Sequence, residues 1–213
     1  MHHLNILTHV AAGALALGLG LFPLLSRKGS RLHRITGWLF VVAGAVVLVC
    51  AVIGITFYPQ PVPLMMATAS ASYQFIGGLR ALPRFRAPRL FDSVLALAAL
   101  GVCAALIQIM SRGNAAWPPA VGYGILGFLS VVALYDLSRP LWRGAWQRIR
   151  HIDHGLKMTG AYFAMASAGA GNLLRHGQPW SQVLPSAMGI AVMALILVRA
   201  VMNRRPSLAD PQT

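Results

Sequence analysis

Ile35-Thr36-Gly37-Trp38-Leu39-Phe40-Val41-Val42-Ala43-Gly44-Ala45-Val46-Val47-Leu48-Val49-Cys50-Ala51-Val52-Ile53-Gly54-Ile55-Thr56-Phe57-Tyr58 contains no charged side chain. A helix over 35–58, rising ~1.5 Å per residue, spans the roughly 30 Å hydrocarbon core of a bilayer. It is apolar all round, so it has no face to offer water. Similar runs lie on both sides of it, at 4–25, 62–79, 90–110, 120–137, 152–174 and 184–202. The run at 62–79 is the most polar. Lipid offers no partner to unpaired backbone groups, so each run is expected to be a helix. The expected fold is all-α: a polytopic transmembrane helix bundle of about seven spans. One transmembrane domain covers 1–203, and a short polar tail, 204–213, is expected to be disordered.

Composition supports lipid as the solvent. The 213-residue chain is 57% hydrophobic and only 10% charged, against about 25% charged in a soluble protein. Its net charge of +14 suggests nucleic acid until the distribution is read. The basic residues fall in short clusters between the apolar runs: Arg27, Lys28, Arg31 and Arg34; Arg80, Arg84, Arg86 and Arg89; Arg139, Arg143, Arg148 and Arg150; Arg204 and Arg205. The alternate connections are nearly uncharged, with only Arg112 and Arg175. That alternation is a topology signal and not a nucleic-acid face. It places the N-terminus outside and the C-terminus in the cytoplasm, and an odd number of spans satisfies it. The basic turns would attract anionic lipid at the cytoplasmic face. Prolines and Trp117 and Trp180 mark the opposite turns. The N-terminus lacks a basic signal region, so the first run is expected to be a retained helix. Cys50 and Cys103 lie inside apolar runs and read as small buried hydrophobes.

Small residues predict which faces look inward. Ala12, Ala16 and Gly20 recur every four residues, as do Gly160, Ala164 and Ala168; such stripes let helices approach closely in lipid. Asn5 and His9 share the first stripe's face. Ser70, Tyr73, Gln74 and Gly77 make the third run costly to expose to lipid, so it should sit centrally.

Asp92, Asp136 and Asp153 are expected to pair with nearby arginines at the cytoplasmic helix ends; Asp210 lies in the tail. No carboxylate pair is placed mid-membrane, which disfavours a proton-coupled transporter. His33, His151 and His154 are placed at the inner side, and His9 and His176 at the outer. His151 and His154 are three apart, and His154, Met158 and Tyr162 continue one helix stripe. Neutral imidazole and thioether are ligands for iron or copper. A haem in a bundle needs axial ligands on facing helices at one depth, a demand His33 and His154 could meet. The competing reading is equally concrete: interface histidines anchor to backbone carbonyls, and Met158 fills core. No metalloprotease, serine-hydrolase, phosphate-loop or dinucleotide motif is present.

His9-x-x-x-Gly13, Gly18, and Arg31-Leu32-His33-Arg34-x-x-Gly37-Trp38-Leu39-Phe40 resemble the first two spans of a bacterial family of multi-span membrane proteins of unknown function. His154-x-x-x-Met158-x-x-x-Tyr162 resembles that family's late segment. Thr159 and Gly160 stand where the family often has an arginine. The resemblance implies a helical inner-membrane protein, with a general likeness to b-type cytochromes.

Three functions are therefore expected from different classes. The first is haem b or a transition metal bound through His9, His33 and His154, supported by Met158 and Tyr162, for electron transfer or oxidase assembly; the metal set would be His33, His151 and His154. The second is a non-catalytic membrane scaffold whose basic face meets lipid headgroups. The third is a small-solute transporter with Tyr73 and Gln74 on its path. Another membrane protein or a second copy of the chain is compatible with each.

Overall fold

The structure is a computed structural model that describes residues 2–58, 62–85, 90–113 and 119–202. Arg86, Arg89, Trp117 and the tail with Asp210 lie outside the described residues. Seven α-helices follow in order: α1 (His2–Leu25), α2 (Arg31–Phe57), α3 (Val62–Arg80), α4 (Leu90–Ser111), α5 (Pro119–Ser138), α6 (Trp146–Leu173) and α7 (Trp180–Met202). Short 3-10 turns, Arg139–Ala145 and Arg175–Gly177, link the last three. Among the described residues there is no strand. The helices α1, α2, α4, α5 and α7 are long and apolar enough to cross a membrane, which makes the chain a membrane protein by length and composition.

Helix boundaries extend past the apolar runs where polar residues do the capping or where an amphipathic turn precedes the run. Helix α2 starts at Arg31, ahead of Ile35, because the Ser30 hydroxyl accepts a hydrogen bond from the His33 N–H at 3.2 Å. Before it, Gly29 turns the chain at φ 78°, a conformation that costs glycine little. Helix α6 starts at Trp146, well before Ile152, through polar turns bearing Arg148, Arg150 and His151.

The most polar helices sit at the centre, as the third run's composition requires. Helix α3 packs along α6 and also touches α2, α4 and α5; α6 also packs on α1 and α7. Opposite faces of α3 supply two apolar cores. Ala71 and Phe75 join Ala12, Ala16, Phe40, Val47, Ala161 and Tyr162 in one. Met66 and Tyr73 join Cys103, Leu106, Leu126 and Leu129 in the other. Lipid tails are as apolar as leucine, so close backbone approach holds these helices more than the hydrophobic effect does. Ala12, Ala16 and Gly20 are the buried residues of α1, as their spacing predicts. A Cβ at Gly20 would come within 2.7 Å of the Tyr162 ring. One at Gly160 would overlap the Gln74 side-chain oxygen, and one at Gly78 the Met158 sulfur.

Large apolar side chains, among them Leu7, Val42, Val49, Leu97, Val131 and Leu195, point outward. A water-soluble monomer rarely exposes such continuous apolar surface, whereas lipid accepts it. Three basic connections meet at one end of the bundle. The Arg84 guanidinium lies 5.1 Å from the Trp38 ring centre, and Arg150 Nη1 donates to the Pro83 carbonyl at 3.4 Å. Lys28 Nζ donates to the Pro23 carbonyl there at 2.9 Å, the same carbonyl that His33 Nδ1 engages.

Candidate functional site

Three of the histidines singled out in the sequence, His9, His33 and His154, sit on interhelical hydrogen bonds. His9 Nδ1 pairs with the Val47 carbonyl at 3.1 Å, tying α1 to α2, and Asn5 adds a bond to the Cys50 carbonyl at 3.1 Å. His33 Nδ1 pairs with the Pro23 carbonyl at 3.1 Å, and His154 Nδ1 with the Gly78 carbonyl at 2.8 Å. Tyr162 donates to the Leu17 carbonyl at 3.1 Å, and the Met158 sulfur fills the space over Gly78. The stripe His154, Met158, Tyr162 therefore exists, but it faces α3 and α1 as packing. Val47 lies roughly 20 Å along α2 from His33 at helical rise, so His9 cannot share a ligand atom with His33. His151 is exposed. Among the described residues, no three His, Cys, Asp or Glu side chains converge as a metal-ligand set.

The aspartates are the larger finding. Arg80 holds Asp92 through two bonds of 2.8 and 2.7 Å, joining the end of α3 to the start of α4. That pairing was expected. Asp136 and Asp153, read from sequence as separate helix-end residues, instead form one buried pair with two cations between them. Arg139 Nη2 lies 2.7 Å from Asp136 Oδ1 and 2.6 Å from Asp153 Oδ2. Lys157 Nζ lies 2.6 Å from Asp136 Oδ1 and 3.1 Å from Asp153 Oδ1. Positive and negative groups alternate round a closed ring with no net charge. Tyr73 completes it from α3, donating to Asp136 Oδ2 at 2.6 Å. All four charged residues are at most 4% exposed.

Local spacing builds the ring. Asp136 and Arg139 are three apart, and Asp153 and Lys157 four apart, so each pair lies on one helical face. The tight turn Arg139–Ala145 folds the two pairs against each other. Trp146 stacks beneath Arg139, its ring centre 4.5 Å from the guanidinium carbon, and shields it from water. Arg139 thus differs in role from Arg148, which is exposed, and from Arg150, which reaches the Pro83 carbonyl. Burying four charges is costly unless each is paired and hydrogen-bonded; the ring meets that condition for both carboxylates.

Above the ring lies a cleft of about 420 Å³ between α3, α5, α6 and α7. Its walls are mainly apolar, with Ile125, Phe128, Phe163 and Met193, and no lining residue is charged. Among the described residues, α5 forms no packed interface with α7, so the two helices flank the cleft without closing on each other. Its floor at one end is Gln74 against Gly160. Gly160 is three residues from Lys157, about one turn of α6, so floor and ring are neighbours. Gln74 Nε2 donates to the Ser70 hydroxyl and carbonyl at 3.1 and 3.3 Å. At the other end Gln182 is 2% exposed, and its Nε2 has no hydrogen-bond partner among the described residues.

Sequence reasoning reached Tyr73 and Gln74 through the polarity of their helix. It passed over Lys157, whose signal was available: a lone lysine four residues after Asp153 in an otherwise uncharged stretch. Gln182 carried no such signal, because a glutamine near a proline turn reads as a loop residue. No family model, no curated protein and no solved structure matches the chain.

Proposed function

We propose that this protein is a membrane carrier for a small solute, with the cleft as its solute site and the Asp136–Arg139–Asp153–Lys157 ring as the element that couples movement to protons. The observation that carries the reading is the position of the ring. Ionisable groups buried among membrane helices are costly and characteristically mark ion, proton or substrate pathways. Here two carboxylates, a lysine and a tyrosine hydroxyl sit about one helical turn beneath the Gln74 end of the cleft. Purified protein in proteoliposomes, given an inward proton gradient and a panel of labelled uncharged and monoanionic solutes, tests it. Uptake of at least one solute should collapse with the gradient and with Asp136→Asn. No gradient-dependent uptake above empty liposomes, across the panel, overturns it.

The reading takes seven spans. Helices α3 and α6 fall outside the five apolar ones because their polar residues serve the centre of the bundle, yet at 19 and 28 residues they reach roughly 28 and 42 Å. The shared basic end is assigned to the cytoplasm of a bacterial inner membrane by the positive-inside rule, where it would meet anionic lipid.

One observation favours a second reading, in which His33 and His154 hold haem b or a transition metal. Both rings engage a backbone carbonyl through Nδ1, which leaves Nε2 as the ligating nitrogen and fixes the ring, as in metal-bound histidines generally. The bound group would supply redox chemistry; the two residues would position it at the basic end. An absorption spectrum and metal analysis of purified protein decide this: without a Soret band or stoichiometric metal the reading falls.

A further inference from the structure

The basic end of the bundle holds cations that the chain's own carboxylates do not balance. The sequence has 18 lysines and arginines against 4 acidic residues, and the described carboxylates are engaged elsewhere. Asp92 is held by Arg80, and Asp136 and Asp153 are held by Arg139 and Lys157. Lys28 Nζ is spent on the Pro23 and Leu24 carbonyls at 2.9 and 3.3 Å. Among the described residues, no carboxylate pairs with Arg34 or Arg84, and both are exposed. Arg84 is nonetheless held in place. Arg150 bonds the Pro83 carbonyl in the same turn. The Arg84 guanidinium carbon lies 5.1 Å from the Trp38 ring centre and 5.2 Å from that of Phe85. Contact with aromatic rings orders a guanidinium and leaves its N–H fork for a bidentate acceptor such as a phosphate. Arg34 precedes Trp38 by four residues, so it shares that face of α2.

Beyond the arginines the same face turns apolar. Trp38, Val42 and Val49 continue the stripe at helical spacing, and all three are exposed. The opposite side of α2 buries Phe40, Gly44 and Val47 in the bundle. From Trp38 to Val49 the helix rises roughly 16 Å, half of the roughly 30 Å hydrocarbon core and so the depth of one leaflet. Tryptophan favours the headgroup boundary, which sets Arg34 and Arg84 at the level of lipid phosphates. We infer that Arg34, Arg84 and Trp38 form a site for one anionic phospholipid, its phosphate held by the two guanidiniums and an acyl chain laid along Val42 and Val49. A free phosphate would use the arginines and leave the apolar stripe idle. A zwitterionic lipid would bring its own cation against an uncompensated positive cluster. An anionic lipid matches both the charge and the length of the stripe. The inference is independent of the carrier reading and needs only that α2 crosses the membrane, for which it is long and apolar enough.

The test uses the full chain in phosphatidylcholine nanodiscs, titrated with phosphatidylglycerol brominated on its acyl chains. Bromine quenches tryptophan fluorescence at contact, and the difference between the parent and Trp38→Phe isolates the Trp38 signal. That signal should be half-quenched at a much lower mole fraction of the brominated anionic lipid than of brominated phosphatidylcholine. Arg34→Gln and Arg84→Gln should each raise the half-quenching fraction about fivefold, the effect of one basic residue at an anionic membrane. Arg27→Gln should leave it unchanged, because Arg27 is exposed at the same end but lies in the turn before α2. Added inorganic phosphate should not relieve the quenching. Equal quenching by the two lipids would show ordinary boundary lipid and overturn the inference. An equal loss in Arg27→Gln would overturn it in favour of diffuse attraction, and displacement by inorganic phosphate in favour of a soluble-anion site.

Discussion

Replacing Lys157 with methionine tests the ring most directly, because the side chains are similar in length and only the charge and donors are lost. The four charges sum to zero in the native protein. Without Lys157, Asp136 and Asp153 share Arg139 alone, and one negative charge stays buried. Removing one partner of a buried ion pair costs about 3–5 kcal/mol. Tyr73 still donates to Asp136, so the lower half of that range is expected. The double variant Lys157→Met/Asp153→Asn restores neutrality and should recover at least half of the loss, a coupling of about 1–2 kcal/mol. Equilibrium unfolding in mixed micelles measures each value. A maleimide dye can follow it, since Cys50 and Cys103 are free and buried at 8% and 2% exposure and react only when the bundle opens. A Lys157→Met protein as stable as the parent, or a double variant no better than the single, would refute the claim that the ring is held by charge balance.

Other outcomes follow from the packing. Tyr73→Phe removes a hydrogen bond to a charged group and should destabilise by about 1.5–3 kcal/mol, read in the same unfolding assay. Gly20→Leu drives a side chain into Tyr162 and Phe40 and should cost about 1–3 kcal/mol as overpacking; faster dye reaction at Cys50 than at Cys103 would locate the damage at the α1–α2 hairpin. His9→Ala should cost about 0.5–1.5 kcal/mol, the net worth of one interhelical bond, and leave any metal content unchanged, because His9 meets α2 at Val47, roughly 20 Å along the helix from His33.

What the sequence discloses follows from what lipid enforces. The apolar runs and small-residue stripes map onto helices because every span must satisfy its own backbone and pack closely. Ala12, Ala16 and Gly20 illustrate this, and so does the central position of α3, whose Ser70, Tyr73 and Gln74 are all buried. The ring was only half legible. Each aspartate suggested an arginine partner, but the pairing of Asp136 with Asp153 depends on how the turn Arg139–Ala145 folds α5 against α6, which composition does not encode. The histidines misled for a related reason: imidazole serves a ligand and a backbone staple equally well, and spacing alone does not say which carbonyl lies opposite.

Ring and cleft are consequences of one packing arrangement. Helix α5 packs on α3 and α4; Tyr135 and Asp136 near its end, and Arg139 just beyond it, bond to α6. Above that tie, α5 presents Ala120 and Gly124, and α6 presents Ala164 and Ala168. Facing small residues normally bring helices into contact. Here they face a void, because the Lys157–Asp136 and Arg139–Asp153 ion pairs fix the lower ends of α5 and α6 at a set separation, and α7 packs mainly on α6 among the described residues. An apolar replacement of the ring could be as stable as the ring itself, but it would let α5 close onto α6. The charged tie thus accounts for the separation that keeps the cleft open.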